Sequence, residues 1–211
     1  PRGTVDLFGK VCRERRAILD SAVKVAHAYG FEEVQTPTFE STGVFSRSLG
    51  ETSDVISKEM FTWTDQAGRS LSLRPENTAS IARALVSSGK CYEAGPHRLY
   101  YSGSMFRHER PQKGRQREFS QFGVELVGAK SAAEEVDVIS MAYNFLDALT
   151  LVDDDTSLLV NTLGDEESRT AYRTVLMDYF ESVKSGLSKD SVARLERGSV
   201  LRILDSKAAE D

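Results

Sequence analysis

The feature that most constrains the fold is a pair of alternating segments, Leu99 to Phe106 and Gln116 to Val127, separated by a cationic loop. Side chains alternate across a strand, so each segment presents two unlike faces. In the second segment Phe122, Val124 and Leu126 form an apolar face that predicts packing on the core. The opposite face reads Phe119, Gln121, Gly123, Glu125: an aromatic, an amide, an open glycine position and a carboxylate. Gln121 and Glu125 lie four residues apart, roughly 13 Å along a strand, about the span of a small polar ligand.

The loop above that floor is cationic in a chain that is not. Over 211 residues, Lys+Arg total 27 against Asp+Glu 32, for a formal net charge of −5. The stretch from Asp153 to Asp211 holds 13 acids and 8 bases, so it carries that whole −5 and leaves the preceding residues neutral. Within the neutral part, Arg107 to Arg117 sets four Arg and one Lys against one Glu, a net +4 over eleven residues. This is a local anion site, not the wide basic face of a general nucleic-acid binder. Arg107, Arg110, Lys113 and Arg115 share the loop, and guanidinium forks match phosphate oxygens in pairs. No GxxxxGK[ST] run and no GxGxxG opening a helix occurs, so phosphate would have to be held by side chains.

Composition narrows the class. At 40% hydrophobic and 28% charged residues, with no apolar run of membrane length, the chain reads as soluble and globular. No apolar h-region follows the N-terminus, and Cys12 and Cys91 cannot build a disulfide framework. A reducing, cytoplasmic setting without membrane contact is expected. No His/Cys/Asp cluster has zinc spacing, so no metal ligand is assigned. His27, His97 and Trp63 read as structural residues, and His108 is given no chemistry.

The periodicity predicts a helix from Gly9 to Tyr29, with Val11, Ile18, Ala22 and Val25 inward and Gly30 as its C′ residue. Phe31 to Thr36 reads as a strand ended by Pro37, and a short helix runs from Val44 to Leu49. Met60–Thr64 and Ser70–Arg74 form a hairpin around Asp65-Gln66-Ala67-Gly68-Arg69. Asn77 or Thr78 caps a helix to Gly89 with Ile81, Leu85 and Val86 inward. Ser131-Ala132-Ala133-Glu134 is a capping box opening a helix whose inward face is Val136, Ile139, Tyr143 and Leu146. A strand at Leu158–Leu163 and a helix with Tyr172, Val175, Leu176, Tyr179 and Val183 on one stripe follow. Leu187 to Asp211 is polar apart from Val200–Leu204. Hairpins mixed with helices, without βαβ alternation, give an α+β class with a mainly antiparallel sheet flanked by helices.

Phe106-Arg-His-Glu-Arg-Pro-Gln-Lys-Gly-Arg115 with Phe119-Ser-Gln-Phe-Gly-Val-Glu125 closely resembles motif 2 of the histidyl-tRNA synthetases, which are class II aminoacyl-tRNA synthetases. Leu73-Arg-Pro-Glu-Asn-Thr78 resembles that family's LRPE-x-T segment, Phe31 to Glu40 its motif 1, and Pro1-Arg-Gly-Thr-Val-Asp6 its PRGT-x-D opening. The likeness extends through Asn161-Thr-Leu-Gly-Asp165 to about Asp205.

The resemblance implies a class II catalytic core that activates L-histidine with ATP and Mg²⁺, releases pyrophosphate, and transfers histidine to tRNA(His). Arg107 would hold the α-phosphate and steady the charge of the reacting carboxylate. Glu109 would accept from the adenine amino group, Phe119 would stack on the base, and Arg115 would grip the β- or γ-phosphate. Glu76, Asn77, Thr78, Arg107 and Gln121 would bind the histidine backbone, and Glu125 would accept from its imidazole N–H. Motif 1 implies a homodimer, and Val34, Phe39, Val44 and Phe45 are expected to have little local cover.

Neither a GGGRYD-like segment nor motif 3 occurs in the 211 residues. The core is therefore expected to be incomplete: residues 1–186 form its N-terminal part with motifs 1 and 2, and 187–211 open an insertion or linker. The anticodon-binding domain is likewise expected to be absent. Two other function classes stay open. One is a non-catalytic histidine-binding paralogue such as the regulatory subunit of ATP phosphoribosyltransferase; the other is an interaction module using the same fold.

Overall fold

The computed structural model describes residues 1–49, 59–162 and 164–210. These fall into two compact units, Pro1–Thr156 and Ser157–Asp211.

The first unit is organised around the predicted pair of strands. β5 (His97–Phe106) and β6 (Glu118–Val127) form a ten-rung antiparallel ladder, in which Tyr101 faces Gly123, Gly103 faces Gln121 and Leu99 faces Glu125. β1 (Glu32–Glu33) adds a short parallel pairing to β5, giving the order β1-β5-β6. A second antiparallel sheet has the order β2 (Phe39–Ser41), β4 (Ser70–Leu73), β3 (Thr62–Thr64). The turn between β3 and β4 is the predicted five-residue loop. Asp65 accepts the Ala67 and Arg69 N–H groups, and Gly68 takes the left-handed conformation the loop needs. Those bonds and the Arg69 side chain hold the Asp65 carboxyl below its ordinary value.

Both faces of the first sheet are covered. On one, Tyr100, Phe122 and Val124 pack with Ala26 of α1 (Lys10–Ala28), Phe31, and Met141 of α4 (Ala132–Ala148). On the other, Leu99, Tyr101, Met105 and Phe119 pack with Ile81 and Leu85 of α3 (Thr78–Ser88). The face expected to carry chemistry is therefore apolar where α3 crosses it and polar beyond.

Several expected orientations are corrected. In α4 the inward residues are Val138, Met141 and Phe145, while Val136, Tyr143 and Leu146 are exposed. Polar partners set that rotation: Asp137 pairs with Arg98 at 2.7 Å, and Asn144 donates to the Tyr29 hydroxyl at 2.6 Å. In α3, Val86 is 62% exposed because Ile81 and Leu85 already define the buried stripe. In α1, Val11 and Ile18 are exposed, since close contact with the sheet is made through Ala22 and Ala26. Phe45 of α2 (Thr42–Leu49) is fully buried, whereas Phe39 is exposed edge-on to Trp63.

No strand forms at the described residues of the Leu158–Leu163 segment; Leu163 itself lies outside them. Leu159 is 90% exposed, and a strand-like pattern without a neighbouring ladder gains no backbone hydrogen bonds. In the second unit Leu176 and Phe180 of α5 (Glu166–Ser182) are buried, and Tyr172, Val175 and Tyr179 are exposed. Leu195 of α6 (Lys189–Glu196), Val200, and Ile203 of α7 (Leu201–Leu204) complete that core. The nominally polar stretch after Leu187 therefore supplies three of the five buried residues of a small hydrophobic cluster.

Candidate active site

Three segments meet above the polar end of the β5–β6 face. The first is the 74–78 loop leading into α3. Asn77 occupies the N-cap position but makes no capping bond. Glu76 does this instead, accepting from the Thr78 N–H at 2.6 Å and the Ala79 N–H at 3.1 Å. A carboxylate at a helix N-terminus is stabilised by the free N–H groups and the helix dipole there. The Asn77 side chain turns the other way, accepting from Thr36 at 2.7 Å and Arg74 at 3.3 Å.

The second segment is β6. Thr78 donates through its hydroxyl to Glu125 at 2.6 Å, joining the loop to the strand floor. Burial holds the Glu125 carboxyl above its ordinary value; the Thr78 bond opposes this and the charge of Glu76 reinforces it. Gln121 has a buried Oε1 with no partner among the described residues. The glycine between them is not open. The Tyr101 ring lies across Gly123 so closely that any Cβ there would collide with its phenol, and Tyr101 is only 5% exposed. Burial, then the charges of Glu125 and Glu76, push its hydroxyl up to about 12, so it stays protonated at neutral pH.

The third segment is the basic loop. Arg107 donates through Nε to the Pro75 carbonyl at 3.0 Å, with its guanidinium carbon 5.2 Å from the centre of the Phe119 ring. Arg115 pairs with Glu109 at 3.1 Å, and Arg107 lies 4.0 Å from the same carboxylate. These residues line a cavity of about 420 Å³ that also touches Ser120. The loop is kept in register by the Arg107 N–H donating to the Arg117 carbonyl at 2.9 Å and by left-handed Gly114.

The structure thus brings Glu76, Thr78, Gln121 and Glu125 into one group and Arg107, Glu109, Arg115 and Phe119 into an adjacent one. Asn77 points away from both. Sequence reasoning missed Tyr101 and Arg74. The first was within reach, because antiparallel pairing of the two alternating segments in the observed register sets Tyr101 opposite Gly123. Arg74 carried no comparable signal: its partners at Thr36 and Ser104 are distant in sequence.

The family model for histidyl-tRNA synthetase matches residues 3–164. The chain belongs to the histidyl-tRNA synthetase family. It is 51% identical over its whole length to a histidine–tRNA ligase of Gluconobacter oxydans, covering 50% of that protein. Against the ligase of Lactiplantibacillus plantarum the identity is 46%, covering all of this chain and 49% of the relative. The chain spans about half the length of the curated relatives it matches. Among solved structures, apo histidyl-tRNA synthetase from S. aureus superposes with a TM-score of 0.73 at 32% identity, over 92% of this chain and 45% of that one. A Bacillus halodurans protein described as an ATP phosphoribosyltransferase regulatory subunit/histidyl-tRNA synthetase gives 0.65 at 30%, over 92% and 53%. The mixed α+β fold with antiparallel sheets is thus that of the class II histidyl-tRNA synthetases.

Proposed function

We propose that the chain supplies the histidine- and ATP-binding half of a histidine–tRNA ligase, which forms histidyl-adenylate and then charges tRNA(His). The observation that carries this reading is the juxtaposition of a carboxylate-lined amino-acid site with a guanidinium-lined cavity on either side of Arg107. In it, the histidine ammonium is taken by Glu76, Thr78 and the unpartnered Oε1 of Gln121. The carboxylate turns toward Arg107, and the imidazole donates an N–H to Glu125, whose other oxygen is held by Thr78. Asn77 contributes by fixing the loop.

The substrate carboxylate oxygen attacks the α-phosphorus of ATP, and the bond to the bridging oxygen of pyrophosphate breaks. Negative charge grows on the phosphoryl oxygens in that transition state, where a pre-positioned guanidinium acts most strongly. Arg107 is held by Pro75 and Phe119 before substrate arrives, so little reorganisation is needed. Glu109 takes the adenine amino group while Phe119 flanks the base. That exchange frees Arg115 from Glu109 to grip the outer phosphates. Among the described residues no three His, Cys, Asp or Glu side chains converge as a metal site. Mg²⁺ would enter with the triphosphate and would neutralise phosphate charge there.

A homodimer through the motif 1 region, where Phe39 is exposed, and a cytoplasmic location complete the reading. Among the described residues no helix is long and apolar enough to cross a membrane. The regulatory-subunit reading is favoured by one structural neighbour, but the intact set of loop arginines has no role in it. ATP–pyrophosphate exchange by the whole protein decides between them. Histidine-dependent exchange is expected, and histidine binding without exchange would replace this proposal with the regulatory one.

A further inference from the structure

The Pro1-Arg-Gly-Thr4 segment lies against the base of the cationic loop. It forms a four-residue turn, in which the Thr4 N–H and hydroxyl both donate to the Pro1 carbonyl, at 3.3 and 2.8 Å. Gly3 takes the third position with φ +85°, the left-handed backbone for which a tight turn selects glycine. Its carbonyl is thereby aimed at the returning limb of the loop and accepts the Arg117 N–H at 2.7 Å. A Cβ on Gly3 would stand 2.8 Å from Arg117 Cγ and 3.0 Å from Pro111 Cγ. Neither atom is the free end of a flexible side chain, so Gly3 fits closely between the two limbs.

Arg117 carries that contact into the site. Its carbonyl accepts the Arg107 N–H at 2.9 Å, and its Nε donates to the Glu109 carbonyl at 3.2 Å. Glu109 is thus fixed where its carboxylate meets Arg115 at 3.1 Å and Arg107 at 4.0 Å. On the outgoing limb the His108 N–H donates to the Glu59 carbonyl at 2.6 Å. The loop is therefore held from two sides, by Glu59 and by Gly3. Groups ordered before a ligand arrives need not be ordered by it, and affinity rises accordingly.

We propose that the 1–4 turn is a working part of the nucleotide site, with Gly3 and Arg117 as positioning residues that hold Glu109 and Arg115 in register for ATP. The inference rests on the ATP site proposed for this loop. Histidine should feel the turn much less. Glu76 and Thr78 sit on the 74–78 loop, Gln121 and Glu125 on β6, and the Arg107 side chain is held by Pro75 and Phe119.

Three variants of the whole protein separate the contacts. Gly3→Ala introduces the collision with Arg117 and Pro111. Arg117→Met keeps the stem and removes the donor. In Arg117→Gln the amide nitrogen falls where Nε stood, so the bond to the Glu109 carbonyl survives while the charge is lost. Hydrogen exchange of the 107–117 segment is followed by mass spectrometry. It should run about 10-fold faster in Gly3→Ala than in the unaltered protein, and in Arg117→Met than in Arg117→Gln, as the loss of one hydrogen bond requires. In ATP–pyrophosphate exchange the same two comparisons should raise the KM for ATP by about 10-fold and move the KM for histidine by less than about 2-fold. Unchanged hydrogen exchange in Gly3→Ala, or equal effects of Met and Gln at position 117, would overturn the proposal. So would a loosened loop with the KM for ATP unmoved, or with both KM values raised alike. An unaltered protein without histidine-dependent exchange would overturn the ligase reading instead, and calorimetry with ATP then reads the same two comparisons as affinities. Absence of ATP binding in that calorimetry would overturn both.

Discussion

Replacing Glu125 by Gln keeps shape and removes one charge, and the structure predicts opposite effects on binding and on stability. The Gln carbonyl can still accept from Thr78, as Oε1 does now at 2.6 Å. The other position becomes an N–H₂ donor facing the imidazole. A hydrogen bond to a charged group contributes about 1.5–3 kcal/mol, so histidine affinity should fall about 10- to 150-fold. The loss should depend on pH. Histidine protonates near pH 6.5, and an imidazolium has no lone pair with which to meet the new donor. Below that pH the variant should bind progressively worse, whereas the unaltered chain should not weaken.

Stability moves the other way. Because burial raises the Glu125 carboxyl above the ordinary 4.5, the folded state holds its proton to higher pH than the unfolded chain does. The unaltered chain therefore loses stability as pH rises through the window from 4.5 to the raised value. Glu125→Gln should remove that loss and raise Tm at pH 7. Isothermal calorimetry with histidine, histidinol and phenylalanine at pH 5.5 and 7.5, beside thermal unfolding at both, measures each arm. A variant that binds histidine as tightly as before, or a chain that binds phenylalanine equally, refutes the assignment of Glu125.

In the whole protein, Arg107→Ala should lower kcat about 10²- to 10³-fold, far more than it raises the KM for histidine, as steady-state pyrophosphate exchange will show. The 211 residues alone should exchange negligibly, because they contain neither a GGGRYD-like segment nor motif 3; robust exchange would make those segments dispensable. Phe31→Ala empties a fully buried position between α1 and β5 and should destabilise the first unit by about 3–5 kcal/mol in urea unfolding.

What could be read in advance was what depends on local period and local chemistry. The β5–β6 ladder, the Asp65–Arg69 turn, and the shared face of Gln121 and Glu125 all follow from alternation and turn residues. What escaped depends on partners far along the chain. The rotation of α4 is set by Arg98 and Tyr29, neither visible from the helix's own apolar spacing. Asn77 looked like a cap, and Arg74 drew it away. Gly123 looked like space for a ligand because its cross-strand neighbour could be placed only once the register was known. The Leu158–Leu163 segment shows the limit most plainly: its pattern predicts a strand, but a ladder needs a second strand.

The first sheet ends at β6, so ten residues present one row of N–H and C=O groups to no neighbour among the described residues. Such an edge is a template for pairing between molecules, and charged side chains are the usual guard against it. Here the guards are Glu118 near one end and Glu125 near the other, with Phe119, Phe122 and Val124 between them. The raised Glu125 carboxyl surrenders its charge at a milder acidity than an ordinary glutamate, and the isoelectric point lies near 5.4. At the isoelectric point overall repulsion is weakest, and protonation of Glu125 removes one of the two guards of this edge. Acidification should therefore open this edge to strand-to-strand association at a milder pH than it would with an ordinary glutamate at position 125.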